Sequence, residues 1–487
     1  MDEKLKLKIG KSFSYLLTGE SIVLLAAFIA GYSYALILGP NDYGVWQTAK
    51  VFISYSIVFT FSLPFVMRRD FVMLRSEGRH DEAKKIADLV FTYELFVTPL
   101  LSISLLLYAI LFITNYLFKI SVVTVAFIYL FQFIGGYSNI LAKGLNNYQL
   151  LKNAGIFNGI LTVLSIPVVY IWGIEGLLIF TVVIAICNSI YYYVKRPFNY
   201  NIFWDNKLFK SLLVISLPLY LQDISTTIFD SVDRLIIAGY LDFKEVGFYS
   251  LASLVIIPLR LFIASFSVVL FTQLNERYGY SKSEEVIEKH VVIPHSILSY
   301  VIPPFLGLAV MILPWVVSVF LPKYLPGVLS AQIALFATFL YLLNSFSANA
   351  LFVLDKQRKT ALIFIIVGIL KTLLCYLSVI YGYGIVGVAI STVFVFGILD
   401  FLMLRTVFQS LNRSNGAFII YFIREMLPGL WTALGCLIYF NFLMRYLQDV
   451  FNLNQFAVAI TGGAFILFFC SPVIVIAYKR IKKLMQS

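Results

Sequence analysis

Charge is scarce in this sequence: Asp, Glu, Lys and Arg together make up 13% of its 487 residues, where a soluble globular chain carries about 25%. Long polar stretches are missing as well. No segment between its apolar runs is long enough to bury a core of its own, which excludes a soluble catalytic domain. Cysteine is limited to Cys187, Cys375, Cys436 and Cys470, all inside apolar runs. Without a CxxC or a Cys/His spacing they outline neither a disulfide framework nor a zinc site, and buried, inert thiols are expected. The three histidines, His80, His290 and His295, fall in or near segments assigned below to the cytoplasm, and none is expected to be catalytic. No enzyme and no cofactor are indicated.

What is abundant is apolar. Hydrophobic residues make up 60% of the chain, with 45 Phe and 31 Tyr, and the mean hydropathy is +0.90. Apolar runs near the ~20 residues needed to cross ~30 Å of hydrocarbon recur along its whole length. The fold class is therefore all-α and polytopic, with about 14 transmembrane helices. The expected spans are 13–38, 44–67, 88–112, 120–142, 153–171, 175–194, 211–238, 246–271, 290–313, 327–352, 360–381, 385–404, 418–444 and 455–478. The first run is too long for a signal-peptide core and is read as a span.

The formal charge of +12 does not point to nucleic acid. A nucleic-acid binder gathers basic residues on one face, whereas here they sit in short loops between apolar runs. About 29 basic residues fall in alternate loops, among them Arg68, Arg69, Arg75, Arg405, Arg413, Lys479 and Arg480, and about four (Lys119, Lys244, Lys323, Arg445) fall in the others. Under the positive-inside rule this places both termini in the cytoplasm of a multi-pass protein of the inner membrane. One miscounted helix would invert every later loop and erase the asymmetry.

The chain also repeats itself at an offset of about 200–210 residues. The first span ends in Ala35-Leu-Ile-Leu-Gly39, followed by Asp42-Tyr-Gly44-Val-Trp46; the seventh ends in Leu235-Ile-Ile-Ala-Gly239, followed by Glu245-Val-Gly247-Phe-Tyr249. Gly173 to Gly176 and Gly384 to Gly387 match in the same way. An even number of helices per unit makes the two lobes parallel, related by an axis along the membrane normal. The expected organisation is a six-helix lobe over 1–200, a second over 201–412, and two further helices with a basic tail over 413–487. Two such lobes meeting at a seam suit alternating access around a midplane site.

Charges inside the spans each cost at least about 2.5–3.5 kcal/mol and need a reason. They are Lys50, Asp223, Asp230, Asp233, Arg234, Arg260 and Lys371. Asp223 and Asp230 lie seven apart and share a helix face, and Arg234 is four beyond Asp230, in reach of it. A static ion pair between helices is one reading; the lining of a water-filled seam is the other. Lys50, Arg234, Arg260 and Lys371 would then form a cationic cavity able to lower the cost of moving phosphate charge through hydrocarbon.

The glycine–aromatic turn Leu38-Gly39 … Tyr43-Gly44, the stretch Asp233-Arg-Leu-Ile-Ile-Ala-Gly239 … Val246-Gly-Phe-Tyr249-Ser-Leu-Ala252 and the paired Gly-x-x-Gly segments carry a family likeness. The chain resembles the polysaccharide-exporter branch, with its O-antigen (Wzx-type) flippases, of the multidrug/oligosaccharidyl-lipid/polysaccharide transporter superfamily. It departs from that pattern at Ser62-Leu-Pro-Phe, where many relatives carry glycine. The resemblance implies a MATE-like fold and movement of a polyprenyl-pyrophosphate-linked oligosaccharide between leaflets. The partners it implies are that lipid-linked substrate, membrane lipids and other polysaccharide assembly proteins. On that view Lys50, Arg234, Arg260, Lys371, Gln222 and Asn344 contact pyrophosphate and sugar, while Asp223, Asp230 and Asp233 bind a coupling Na+ or H+. The alternatives are a drug/cation antiporter or lipid II-type flippase of the same fold, or a membrane-embedded polysaccharide polymerase.

Overall fold

The computed structural model describes residues 3–196, 199–254, 256, 283–354, 356–451 and 454–486. These residues are helical throughout, with no strand among them. The order is α1 (Glu3–Tyr55), α2 (Ile57–Thr60), α3 (Leu63–Ser76), α4 (His80–Phe112), α5 (Tyr116–Gly144), α6 (Tyr148–Val194) and α7 (Asn206–Tyr240). A helix α8 (243–254) follows, then α9 (Glu284–Ile287), α10 (Ile293–Phe320), α11 (Val328–Val353), α12 (Gln357–Ile380) and α13 (Gly384–Ser410). The last four are α14 (Asn415–Ile438), α15 (Met444–Phe451), α16 (Gln455–Phe469) and α17 (Ser471–Gln486).

Helices are the form such a sequence must take, because lipid offers no hydrogen bonds to an open backbone. Their exposed starts are closed by side chains: Asn115, Asn147, Ser414 and Asn454 accept from the amides of Phe118, Leu150, Ala417 and Ala457, as N-caps do. Nine helices among the described residues are long and apolar enough to cross a membrane, and two bent pairs raise this to as many as eleven spans. Two of the nine, Thr18–Thr60 and Tyr148–Val194, run for 43 and 47 residues, each enough for two crossings at about 1.5 Å per residue. The expected eighth span, 246–271, runs into residues outside those described.

Two details differ from the sequence reading. Spans one and two, and spans five and six, are expected as helices separated by the loops 39–44 and 172–175. Instead each pair meets at a single non-helical glycine, Gly39 (φ 72°, ψ 178°) and Gly173 (φ 59°, ψ −139°). One residue with positive φ redirects the chain by itself, so the flanking residues stay helical. Span two, expected as one helix over 44–67, is broken: α1 ends at Tyr55 and α3 begins at Leu63. Between them Phe61 (φ 49°) and Ser62 (φ 52°) are both left-handed, a conformation that costs an L-residue roughly 1–2 kcal/mol.

The chain forms two compact units, one of residues 1–238 with 242–247, the other of residues 239–241 with 248–487. In the first, α1 packs along α6 and α5, and α3 and α4 pack on α5. The crossing of α1 and α6 is made by Gly19 and Gly155: a Cβ on Gly155 would lie 2.8 Å from the Gly19 carbonyl oxygen, the close approach that small residues allow in membranes. Leu63, Met67, Phe71, Leu89, Val90 and Leu141 form a buried core beside it. In the second unit α10 is central, flanked by α11, α14, α16 and α17, while α13 packs against α11 and α12. Large apolar side chains such as Phe96, Leu111, Ile420 and Phe468 are left exposed, as suits helices facing lipid rather than water. All four cysteines are free thiols, three of them buried.

Candidate functional site

In the first unit the polar residues of a greasy chain gather between the second half of α1 and α7. Tyr43, Trp46, Gln47 and Thr48 are buried on α1, and the Lys50 ammonium lies 5.9 Å from the Trp46 ring centre, within cation–π range. Lys50 of α1 and Arg234 of α7, 184 residues apart in the sequence, belong to the same compact unit.

Asp223, one helical face further along α7, accepts a 2.6 Å hydrogen bond from the Ser62 hydroxyl. Ser231 donates to the Tyr55 hydroxyl at 3.2 Å. Two side-chain bonds therefore tie α7 to Tyr55, ahead of the left-handed break at Phe61–Ser62, and to Ser62 within it. Asp233 is buried and accepts from the Arg234 amide at 2.9 Å, whereas Asp230 is exposed and Gln222 half-buried. The geometry makes Ser62 a sensitive position. Ser62→Ala removes a bond to a charged acceptor, a loss of about 1.5–3 kcal/mol, and keeps the left-handed strain. Ser62→Gly loses the same bond but releases the strain, so it is expected to melt above Ser62→Ala; thermal unfolding of the two variants side by side checks the order.

In the second unit Lys371 is enclosed, 1% exposed, with its ammonium 5.8 Å from the Phe396 ring centre. Asn344 is buried, and its Oδ1 has no hydrogen-bond partner among the described residues. Arg260 lies outside the described residues.

Among the buried acids that escaped the sequence reading as site residues are Glu94, Asp400 and Glu425. Glu94 is buried in α4. Asp400 of α13 is fully enclosed with His295 of α10, their Oδ1 and Nε2 atoms 3.7 Å apart, and Tyr421 of α14 approaches the other imidazole nitrogen at 3.2 Å. Glu425 of α14, also fully buried, accepts from Ser299 at 2.5 Å and holds Arg424 and Arg480 at 2.9 Å each. An aspartate in the run Val395-Phe-Gly-Ile-Leu-Asp400-Phe-Leu was a visible signal. No cluster of side chains suited to a metal ion occurs among the described residues.

Residues 34–329 match the family model described as polysaccharide biosynthesis protein, and the chain belongs to that family. Its polytopic helical fold is that of the superfamily the sequence resembles. A structure of lipid II flippase MurJ in an inward closed conformation superposes with a TM-score of 0.71 at 16% identity, covering 94% of this chain and 97% of that one. An inward-facing multidrug resistance MATE family transporter of the MOP superfamily gives 0.65 at 13% identity over 86% and 98%. A MOP superfamily transporter from Pyrococcus furiosus, whose binding pocket is described as of reverse polarity, gives 0.53 at 13% over 88% and 96%. No curated protein sequence matches the chain.

Proposed function

We propose that this protein is a flippase that moves a polyprenyl-pyrophosphate-linked oligosaccharide repeat unit from the inner to the outer leaflet of the cytoplasmic membrane by alternating access, with both termini in the cytoplasm. The reading rests on a membrane-embedded member of a polysaccharide biosynthesis family that carries two cations, Lys50 against the Trp46 ring and Arg234, on helices of one compact unit. A cation inside a bilayer protein is costly, and a diphosphate offsets that cost by taking charge-assisted hydrogen bonds from Lys50 and Arg234. Arg260 and Lys371 extend the same role, and Gln222 and Asn344 supply amide partners for sugar hydroxyls. Asp223, Asp230 and Asp233 on α7 are the sites for a coupling Na+ or H+. Protonation or Na+ binding at Asp223 would loosen its bond to Ser62 and so act on the left-handed break. The two lobes of the repeat, 1–200 and 201–412, are the moving parts.

A lipid II-type flippase is the second reading, favoured by the extent of the MurJ superposition. It keeps the pyrophosphate logic and changes the headgroup that the pyrophosphate carries. A cation antiporter fits less well, because the charge at Lys50 and Arg234 would repel its cargo.

The test is glycan export in a flippase-deficient strain. Lys50→Gln and Arg234→Gln each remove one charge-assisted contact of about 1.5–3 kcal/mol, so each is expected to cut export about 10- to 100-fold at unchanged membrane abundance. Arg69→Gln, at an exposed residue paired with Asp70, is expected to export normally. Full export by both Lys50→Gln and Arg234→Gln would remove the pyrophosphate role.

A further inference from the structure

A cavity of about 720 Å³ lies in the second unit between α10, α14 and α17 and touches none of the residues assigned above to the substrate. Its walls are of two kinds. Ile293 and Ile297 of α10 and Ile420 of α14 form an apolar side, and Arg413, Arg424 and Arg480 form a cationic rim. The rim is built rather than loose. The buried Glu425 carboxylate takes the Arg424 Nε at 2.9 Å and an Arg480 guanidinium nitrogen at 2.9 Å, and that same nitrogen of Arg480 donates to the Ser296 carbonyl at 2.9 Å. Arg413 is fixed by Glu288 at 2.8 Å.

Three guanidiniums face two carboxylates, which leaves the rim one positive charge in excess. Arg413 and Arg424 are each about half exposed (52%), so both keep N–H groups directed outward. A fixed arginine fork matches a phosphate better than any neutral headgroup.

The cavity borders a surface of lipid-facing character. Ile420 is 70% exposed, and Ile423, Leu427 and Leu430 on the same helix are exposed as well. Arg405, Arg413, Lys479 and Lys482 bracket these helix ends in sequence, the pattern of the leaflet side that holds anionic lipids.

We propose that this cavity is a resident site for an anionic glycerophospholipid, its phosphate held by Arg413 and Arg424 and its acyl chains lying along Ile297 and Ile420. A chain phosphate beside an apolar wall is what a cavity with this division of surfaces accommodates. The site does not depend on the flippase reading, since its occupant is lipid of the bilayer and not cargo.

The test is lipid retention by the purified full-length chain, measured by native mass spectrometry during titration with phosphatidylglycerol or phosphatidylcholine. The wild type is expected to retain phosphatidylglycerol about tenfold more tightly, the preference that one or two arginines at a membrane surface provide. Arg413→Gln, at an exposed ion pair that does not hold the fold, and the Arg413→Gln/Arg424→Gln double variant should lose most of that preference. Arg69→Gln, with the same change in net charge at an exposed residue of the other unit, should keep it. Equal retention of both lipids, an unchanged preference in the double variant, or an equal loss in Arg69→Gln overturns the proposal. So does displacement of bound phosphatidylglycerol by equimolar undecaprenyl phosphate, which would assign the cavity to the substrate's lipid instead.

Discussion

Gly44→Ala is expected to be among the most damaging single methyl additions in this protein, and Gly247→Ala its equal. A Cβ on Gly44 would stand 1.7 Å from the Phe243 carbonyl oxygen, and one on Gly247 would stand 1.9 Å from that of Pro40. Both obstacles are backbone, which cannot rotate aside as a side chain does, so the two turns must separate for either methyl to fit. Overpacking in a well-filled core costs typically 1–3 kcal/mol, and contacts this short with main-chain atoms belong at the upper end or beyond it. Gly368→Ala supplies the comparison: it lies inside α12, a Cβ there meets nothing within 4 Å, and loss of a helical glycine is worth roughly 0.5–1 kcal/mol of added stability. Thermal unfolding should therefore move down for Gly44→Ala and Gly247→Ala and level or slightly up for Gly368→Ala. Melting of all three at the wild-type temperature would mean that these turns do not touch.

Those two glycines also show how far the sequence could be read. Their equivalence was legible as a repeat, because Asp42-Tyr-Gly44-Val-Trp and Glu245-Val-Gly247-Phe-Tyr carry it in residue types. Their mutual packing was not, since nothing along the chain says that matched turns close on each other. Charges stand out in an apolar run, so the cationic residues were found from the sequence. Which elements meet was not legible: α7 reaches α1 through the bond from Ser231 to Tyr55, 176 residues apart, a tertiary fact.

The break at Phe61–Ser62 was hidden for a different reason. Neither residue favours positive φ, so propensity argued for an unbroken helix, and what stabilises the break includes the bond from Ser62 to Asp223, 161 residues away. Asp400 and Glu425 were missed because attention went to the densest row of charges on α7. A single acid inside a span has no neighbour to announce it, and its partners, His295 for one and Arg480 for the other, come from helices that only the fold brings near.

The His295–Asp400 pair carries the other large effect, and its size depends on which partner is removed. Both side chains are fully buried, and neither carboxylate oxygen of Asp400 has a hydrogen-bond partner among the described residues. Breaking a buried pair from one side strands the remaining group and costs about 3–5 kcal/mol, whereas replacing both with apolar residues of similar volume is often neutral. His295→Leu is thus expected to unfold at a much lower temperature, Asp400→Val likewise, and the double variant close to the wild type. The cycle of the four proteins isolates the coupling between the two residues; additive losses would mean that they do not act on each other. Export measured on the same set separates two roles. A double variant restored in both stability and export makes the pair a fastener between α10 and α13. One restored in stability alone means that the imidazole and the carboxylate serve a step of the transport cycle, for which apolar packing is no substitute.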